Sequence, residues 1–406
     1  MPIGPRPVPS LRLRSSPSSA RTVSVLKIDQ TSTATANLPR IAALYASDEP
    51  ALSRFFVALG QLAPLRGISF ERPNDFLRLA LGLYPHDPVR PRRMLIASSP
   101  PRWRPRWHGP WLRRLTRNAS VVFLTRPEQA VLLPFLTGKT VAYYAIDDYR
   151  HYTNFRAEDE GLIVRHAART FVCSGALAEK FAADYAPPAG HVHVLPMGIP
   201  ARHVPSVCPT APAPLPENLR LPRPLLGVLG AINYRLRLDW LMAAVTALPW
   251  AHWLFVGYIE TGRFSDEERS LLRQLQAHPR CTFLGRRDYD ELPKFAAALD
   301  GAVIPYNDRT TNPCASPMRL HLSLPYGAPI VASADCAQII EHQPDVTVCP
   351  SAETLIVALE NLRRVNFDDG RRRARWQRGQ LATWEHRAAE ALACLRPSPL
   401  DSAPTL

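Results

Sequence analysis

Polar residues gather at three points of this chain where apolar runs end. The first is Ser316-Pro317, which opens a helix whose first turn carries Arg319. Free N–H groups at a helix start, the positive end of the helix dipole and a nearby guanidinium together suit a phosphate. The same residues equally describe an ordinary helix start with an arginine on its surface. The second point is Asp147-Asp148, directly after the apolar run at 140–146. A carboxylate there can take a proton from a hydroxyl group, and Asp can equally hold a turn. His151 stands in reserve, in polar surroundings that also suit a solvated side chain. The third is a segment holding Arg90, Arg92, Arg93, Arg102, Arg104, Arg106, Arg113, Arg114 and Arg117, no acid, and Trp103, Trp107 and Trp111. Arginine with tryptophan suits an anionic bilayer surface, single-stranded nucleic acid or a plain solvated loop. A later run, Arg371, Arg372, Arg373, Arg375 and Arg378, adds to that surface or forms the outer face of a helix.

Composition and periodicity say which elements must position these residues. A chain of 406 residues accommodates two substantial domains at about 150 residues each. Hydrophobic residues at 46% and charged residues at 21% exclude a wholly disordered chain, a disulfide scaffold and a polytopic membrane protein. The net charge of +14 implies an anionic partner, which could be nucleic acid, a membrane surface or a phosphorylated substrate. No recognised nucleic-acid-binding motif accompanies the charge, which sets the first aside. Seven scattered cysteines with no CxxC and no zinc-type spacing predict a reducing compartment and no metal site. No apolar stretch reaches the roughly 18 residues of a spanning helix, and the best, at 130–146, is broken by Pro134 and Lys139. Residues 1–39 carry basic residues, Ser and Pro without the apolar core of a secretory signal, and read as a disordered basic tail or a translated leader.

From Pro39 onward short apolar runs alternate with helical periodicity, the mark of a layered α/β architecture with mostly parallel sheets. Strands are expected at 40–47, 93–98, 120–125, 140–146, 170–173 and 192–195, with helices at 52–62, 158–169 and from the N-cap Ser174 to about Tyr185. Nine prolines from Pro196 to Pro224 mark a semi-rigid linker. Beyond it, strands at 225–229, 253–256, 282–284, 301–304 and 329–332 alternate with helices at 238–247, 266–277, 292–298, 318–324 and 352–363. The stripe Leu381, Trp384, Ala388, Ala391 or Leu392, and Leu395 predicts a terminal amphipathic helix that must dock on something. The expected divisions are a tail (1–39), a first domain (40–200), a linker (201–223), a second domain (224–380), the amphipathic helix (381–396) and a tail (397–406).

The pieces YAIDDY (144–149), FVCSGAL (171–177), VLPMGI (194–199), GVLGAINYRLRLD (227–239), FLGRRDYDELP (283–293), SPMRLHLSLPYGAPIVAS (316–333) and TWE (383–385) occur in a telling order and spacing. Through them the chain resembles the GT-B glycosyltransferases, in the family 1 and family 4-like group that builds bacterial polysaccharides and glycolipids, from about residue 40 to 395. The resemblance implies two Rossmann-like domains facing across a cleft. The C-terminal one would hold a nucleoside diphosphate sugar and the N-terminal one the acceptor, with no metal or other cofactor. It implies that Arg319 faces the diphosphate, with Ser316 and Met318 at the start of the same helix. Gly230 and the loop from Asn233 would form a flexible turn from which Arg235 or Arg237 reaches the same phosphates, and Gly285 and Arg286 would meet the base. Asp147 or Asp148, at the sheet edge that faces the cleft in such folds, becomes the candidate base.

The chain departs from that pattern at several positions. The Glu, Asp or Gln usual three residues after Arg319 is here Leu322, which accepts no hydrogen bond, and His321 would substitute only in a shifted register. Pro325-Tyr326 replaces small residues, and Met197 and Pro200 replace the Asn and Asp of the interdomain turn. The expected function is transfer of a sugar from a nucleoside diphosphate sugar to a glycan or lipid-phosphate-linked acceptor in bacterial polysaccharide biosynthesis. The expected place is the cytoplasm, docked on the anionic inner membrane face. The departures support a second reading, a non-catalytic partner of the same shape in a polysaccharide assembly complex.

Overall fold

Short runs of β-branched and aromatic residues, each followed by helical periodicity, fold here as two parallel sheets. The computed structural model describes residues 38–45, 50–71, 81, 92–95, 105–216 and 219–395. The expected tails, apart from Leu38 and Pro39, lie outside these residues, as do 96–104, and side chains of the basic segment are described from Gly109 onward. The first sheet is built from β1 (Ile41–Tyr45), β2 (Leu65–Glu71), β3 (Arg92–Leu95), β4 (Val121–Leu124), β5 (Thr140–Ala145), β6 (Arg169–Val172) and β7 (Val192–Val194), in the order β3-β2-β1-β4-β5-β6-β7. The second contains β8 (Leu225–Leu229), β9 (His252–Val256), β10 (Cys281–Phe283), β11 (Gly301–Ile304), β12 (Ile330–Ser333) and β13 (Thr347–Cys349), in the order β10-β9-β8-β11-β12-β13. All these pairings are parallel.

Parallel neighbours need crossover helices, and helices on both faces bury the strands, which is why β8 is buried at every position. In the first half the helices are α1 (Pro50–Leu62), α2 (Pro105–Thr116), α3 (Ala157–His166) and α4 (Gly175–Tyr185). The second half contains α5 (Leu238–Ala247), α6 (Asp266–Ala277), α7 (Leu292–Ala298), α8 (Met318–Ser323), α9 (Ala337–Ile340), α10 (Ala352–Arg364) and α11 (Arg372–Leu381), and α12 (Trp384–Leu395) closes the described chain. Both sheets belong to one compact unit beginning at Pro39. Among the described residues no helix is long and apolar enough to cross a membrane.

Elements that periodicity did not announce have weak local signals. In β2 an arginine, a glycine and a serine interrupt the apolar run, and pairing with β1 and β3 on either side decides its conformation. β13 is a three-residue edge strand. α2 lies inside the basic segment, where Leu112 and Leu115 turn inward while Trp111, Arg113 and Arg114 remain outside. It starts with Pro105, suited to the first helical position, and tolerates Pro110 in its interior.

The two crossings between the halves run side by side. Ile199 N–H donates to Ala382 O at 3.0 Å, and Trp384 N–H donates to Ile199 O at 2.9 Å. A Cβ on Gly198 would lie 2.8 Å from the Thr383 carbonyl carbon, so a residue without a side chain is required at this approach. α12 then packs on α1, where Trp384, 1% exposed, meets the edge of Phe55 at 6.2 Å between ring centroids. Arg169 Nε anchors the far end on Cys394 O at 3.2 Å. This supplies the docking that the apolar stripe demanded.

The proline-rich segment before β8 is pinned to the second half rather than free. Trp376 Nε1 and Gln380 Nε2 donate to Pro205 O at 2.8 and 2.9 Å, and Arg223 pairs with Asp300 at 2.8 Å. Three arginines in and just before α11 also pair within the second half. Arg375 is buried and donates to Gly327 O at 3.0 Å, to Asp345 O at 3.1 Å and to Asp369, while Arg371 and Arg378 pair with Asp345. Arg375 is therefore lost to an exposed basic face, while Arg371 and Arg378 remain exposed with a carboxylate beside them.

Candidate active site

In a parallel sheet every strand ends at the same edge, so the loops that follow the strands collect there. Here the two edges face each other. Ser174 after β6 donates from Oγ to Cys314 O at 2.6 Å, and Met197 N–H after β7 donates to Ser316 Oγ at 2.9 Å. These contacts join strand ends of the two halves.

On the first half, β5 delivers Asp147 and Asp148 in different states. Asp147 is half-buried; its Oδ1 accepts from the Asp148 N–H and its Oδ2 from Tyr152 OH, each at 3.0 Å. Asp148 is 2% exposed and accepts from Arg150 Nε at 2.8 Å, Arg150 Nη2 at 3.0 Å and Lys180 Nζ at 2.9 Å. Burial pushes its carboxyl up, but the hydrogen bonds from Arg150 and Lys180 outweigh this and hold it below the usual carboxylate range. Asp148 therefore holds the turn, as its cap on the Arg150 N–H also indicates, and of the two only Asp147 is partly exposed. His151 is exposed, 3.7 Å from Asp148 Oδ2. Beside them Arg126 lies over the rings of Tyr149 and Tyr152, 5.2 Å from each centroid.

On the second half the strand ends form a floor of glycines. Gly230, with φ of +92°, follows β8, and a Cβ on Gly257 after β9 would lie 2.0 Å from Gly230 O. Gly257 N–H in turn donates to Gly285 O after β10 at 2.9 Å. Gly285 is open, with φ of +65°, and Arg286 next to it is exposed.

Three arginines rise around this floor, and they are engaged differently. Arg319 is buried, its two terminal nitrogens donating to Leu229 O and Ala231 O on either side of Gly230. Burial lowers its basicity. Arg237 donates from Nε to Asp335 Oδ2 at 2.9 Å and lies over Trp240. Arg235 donates from Nε to Asn312 Oδ1 at 2.6 Å, and among the described residues its Nη1 and Nη2 have no hydrogen-bond partner. Burial disfavours its charge, yet Tyr306, then Asp147 from the opposite half, more than offset this and raise its basicity. Arg235 and Arg319 share the ring of Tyr306, 5.7 and 5.8 Å from its centroid. Asn233 caps the loop by accepting from Arg235 N–H at 3.2 Å.

The helix start expected to receive a phosphate is built otherwise. α8 has six residues, opens at Pro317 without a side-chain cap, and Met318 is half-buried. The Ser316 hydroxyl faces the Met197 N–H and lies 3.0 Å from His321 Nε2. His321 is buried and held far below its ordinary pKa by that burial, so it is neutral. Leu322, 5% exposed, belongs to the hydrophobic core of the second half and offers nothing to a ligand. Arg319 accordingly holds the Gly230 turn in this structure, and Arg235 keeps its terminal nitrogens without a hydrogen-bond partner among the described residues. Asn312, Tyr306, Tyr152 and Lys180 were not singled out by sequence, because their partners lie up to 77 residues away. Among the described residues, no group of three or more His, Cys, Asp or Glu could hold a metal ion.

No family model matches this chain, and no curated protein matches it in sequence. Solved structures do match its fold. Anabaena Alr3699/HepE, solved in complex with UDP and glucose, superposes with a TM-score of 0.63 at 15% identity, over 88% of this chain and 100% of that one. A glycosyltransferase from Rickettsia africae gives 0.62 at 10% identity over 89% and 100%, and the lipopolysaccharide outer core galactosyltransferase WaaB gives 0.60 at 12% over 88% and 99%. The two parallel sheets with flanking helices are thus the GT-B fold, shared with these solved structures.

Proposed function

We propose that this chain is a glycosyltransferase that moves a sugar from a nucleoside diphosphate sugar to a hydroxyl acceptor. The observation that supports the reading is that the Asp147 carboxylate of the first half acts electrostatically on the Arg235 guanidinium of the second, whose terminal nitrogens have no hydrogen-bond partner among the described residues. A base on one wall and a cation on the other is what the reaction needs. Asp147 takes the proton of the acceptor hydroxyl, the hydroxyl oxygen bonds to the anomeric carbon, and the bond from that carbon to the diphosphate breaks. Arg235 meets the charge that develops on the leaving diphosphate, which departs as the nucleoside diphosphate. The glycine floor lets a ligand approach the backbone closely at Gly285, where nothing lies within reach of an added Cβ. UDP bound in Anabaena HepE supports a nucleotide ligand for the same fold.

The acceptor we propose is a glycan or lipid-phosphate-linked chain in bacterial polysaccharide assembly, reached at the cytoplasmic membrane face. α2 and the residue after it support this, presenting Trp111, 59% exposed, with exposed Arg113, Arg114 and Arg117, a composition suited to anionic headgroups. Leu322 in the core favours the second reading, a non-catalytic protein of this shape. Calorimetric titration with UDP, GDP and dTDP separates the two. Selective binding of one diphosphate, weakened at least about tenfold in Arg235→Ala, is expected. Failure of the folded protein to bind any of them removes the transferase reading and leaves the non-catalytic one.

A further inference from the structure

A guanidinium attracts acceptors from its own chain, and one that is fully engaged is lost to a ligand. Arg319 is engaged by two carbonyls and Arg237 by a carboxylate. The side-chain partner of Arg235 is instead an amide, which accepts one hydrogen bond at Nε without cancelling the positive charge. That amide belongs to Asn312, which is fully buried. Its Nδ2 donates to Arg235 O and Asn307 O at 2.9 Å each and to Asn307 Oδ1 at 3.1 Å. With both ends of the amide engaged, Asn312 has one orientation, and it grips Arg235 by side chain and backbone at once. The segment that carries Asn312 is tied to the other half through Cys314 O on Ser174 Oγ and Ser316 Oγ on the Met197 N–H.

We infer that Asn312 is a positioning residue that aims the Arg235 guanidinium into the cleft with its charge intact, so that recognition of a diphosphate depends on how the first half seats against the 311–316 segment. The inference rests on the proposed function, which makes a nucleoside diphosphate the ligand of Arg235.

The test uses the full chain as wild type, Asn312→Ala, Arg235→Ala and the double variant. Each is titrated with UDP, GDP and dTDP, and with uridine, guanosine and thymidine, which lack the phosphates, while thermal unfolding reports the integrity of each protein. Asn312→Ala is expected to weaken the diphosphate that binds by about tenfold, to leave the matching nucleoside within about twofold, and to add nothing in the Arg235→Ala background. Ser174→Ala, which removes one of the ties to the first half together with the cap on the Leu177 N–H and touches neither Asn312 nor Arg235, is expected to weaken the diphosphate by about threefold. This second variant decides the matter should Asn312→Ala unfold. Unchanged diphosphate affinity, equal losses for diphosphate and nucleoside, or a full loss in the Arg235→Ala background overturns the inference and leaves the proposed function standing. Absence of any diphosphate binding by the wild type overturns both.

Discussion

Adjacent aspartates at the end of β5 have the same chemistry in solution and different fates in the fold. Asp148 meets two cations in a buried site, whereas Asp147 meets a peptide N–H and a phenol at the rim. Asp147→Asn is therefore expected to cut sugar transfer by roughly 10² to 10⁴-fold while diphosphate binding, read by calorimetry, stays within about threefold of wild type. Transfer at wild-type rates in that variant would remove Asp147 as the base. Asp148→Asn should act on stability instead, by about 2 kcal/mol in urea unfolding at neutral pH, since Arg150 and Lys180 lose their shared partner but keep some solvent. The folded Asp148 carboxyl lies below its unfolded value, so its contribution is full above the ordinary carboxylate range and lost as pH falls through the lowered value. The gap between wild type and Asp148→Asn should accordingly close in acid.

At the scale of elements, two helices depend on single side chains. Glu160 in α3 accepts from Tyr143 OH of β5 and Tyr185 OH of α4 at 2.7 Å each, tying three elements together. Burial pushes its carboxyl up to about 7, against the opposing effect of the two phenols. A raised carboxyl favours folding most below its unfolded value and loses that contribution as pH rises through about 7. Between pH 5 and 8 the wild type should lose up to about 3 kcal/mol relative to Glu160→Gln, measured as the difference in their unfolding free energies. Parallel pH profiles for the two proteins would refute this. In α12 the anchor is Trp384, wedged against Phe55 of α1. Trp384→Ala should cost about 3–5 kcal/mol in urea unfolding and expose α12 to limited proteolysis before the sheets.

The whole molecule carries charge unevenly. Much of the +14 excess resides in arginine, yet Arg375 is buried inside the second half, and Arg371 and Arg378 pair with Asp345 at its surface. The exposed basic face left among the described residues includes α2 with Arg113, Arg114 and Arg117 around Trp111. If this face meets a bilayer, the protein should float with vesicles containing phosphatidylglycerol and remain behind with purely zwitterionic ones. Replacing Trp111, Arg113 and Arg114 together by serine should reduce flotation severalfold, and raised salt should do the same, because surface attraction is screened within a Debye length. Equal flotation with both vesicle types would end the membrane reading.

Much of the architecture was legible along the chain. Apolar runs such as Leu225–Leu229 and capped helices such as Asp266–Ala277 declare themselves, because strand burial and helix periodicity are properties of neighbours in sequence. β2 and α2 were hidden, the one because its partners on both sides supply the order, the other because basic residues mask its buried leucines. The site was legible only as a set of residue types near the right strand ends. Which arginine remains available was decided by the tertiary structure alone. Arg319, Arg237 and Arg235 find their acceptors 90, 98 and 77 residues away. A guanidinium's partners, and hence its free charge, exist only once the sheets have brought those distant groups together.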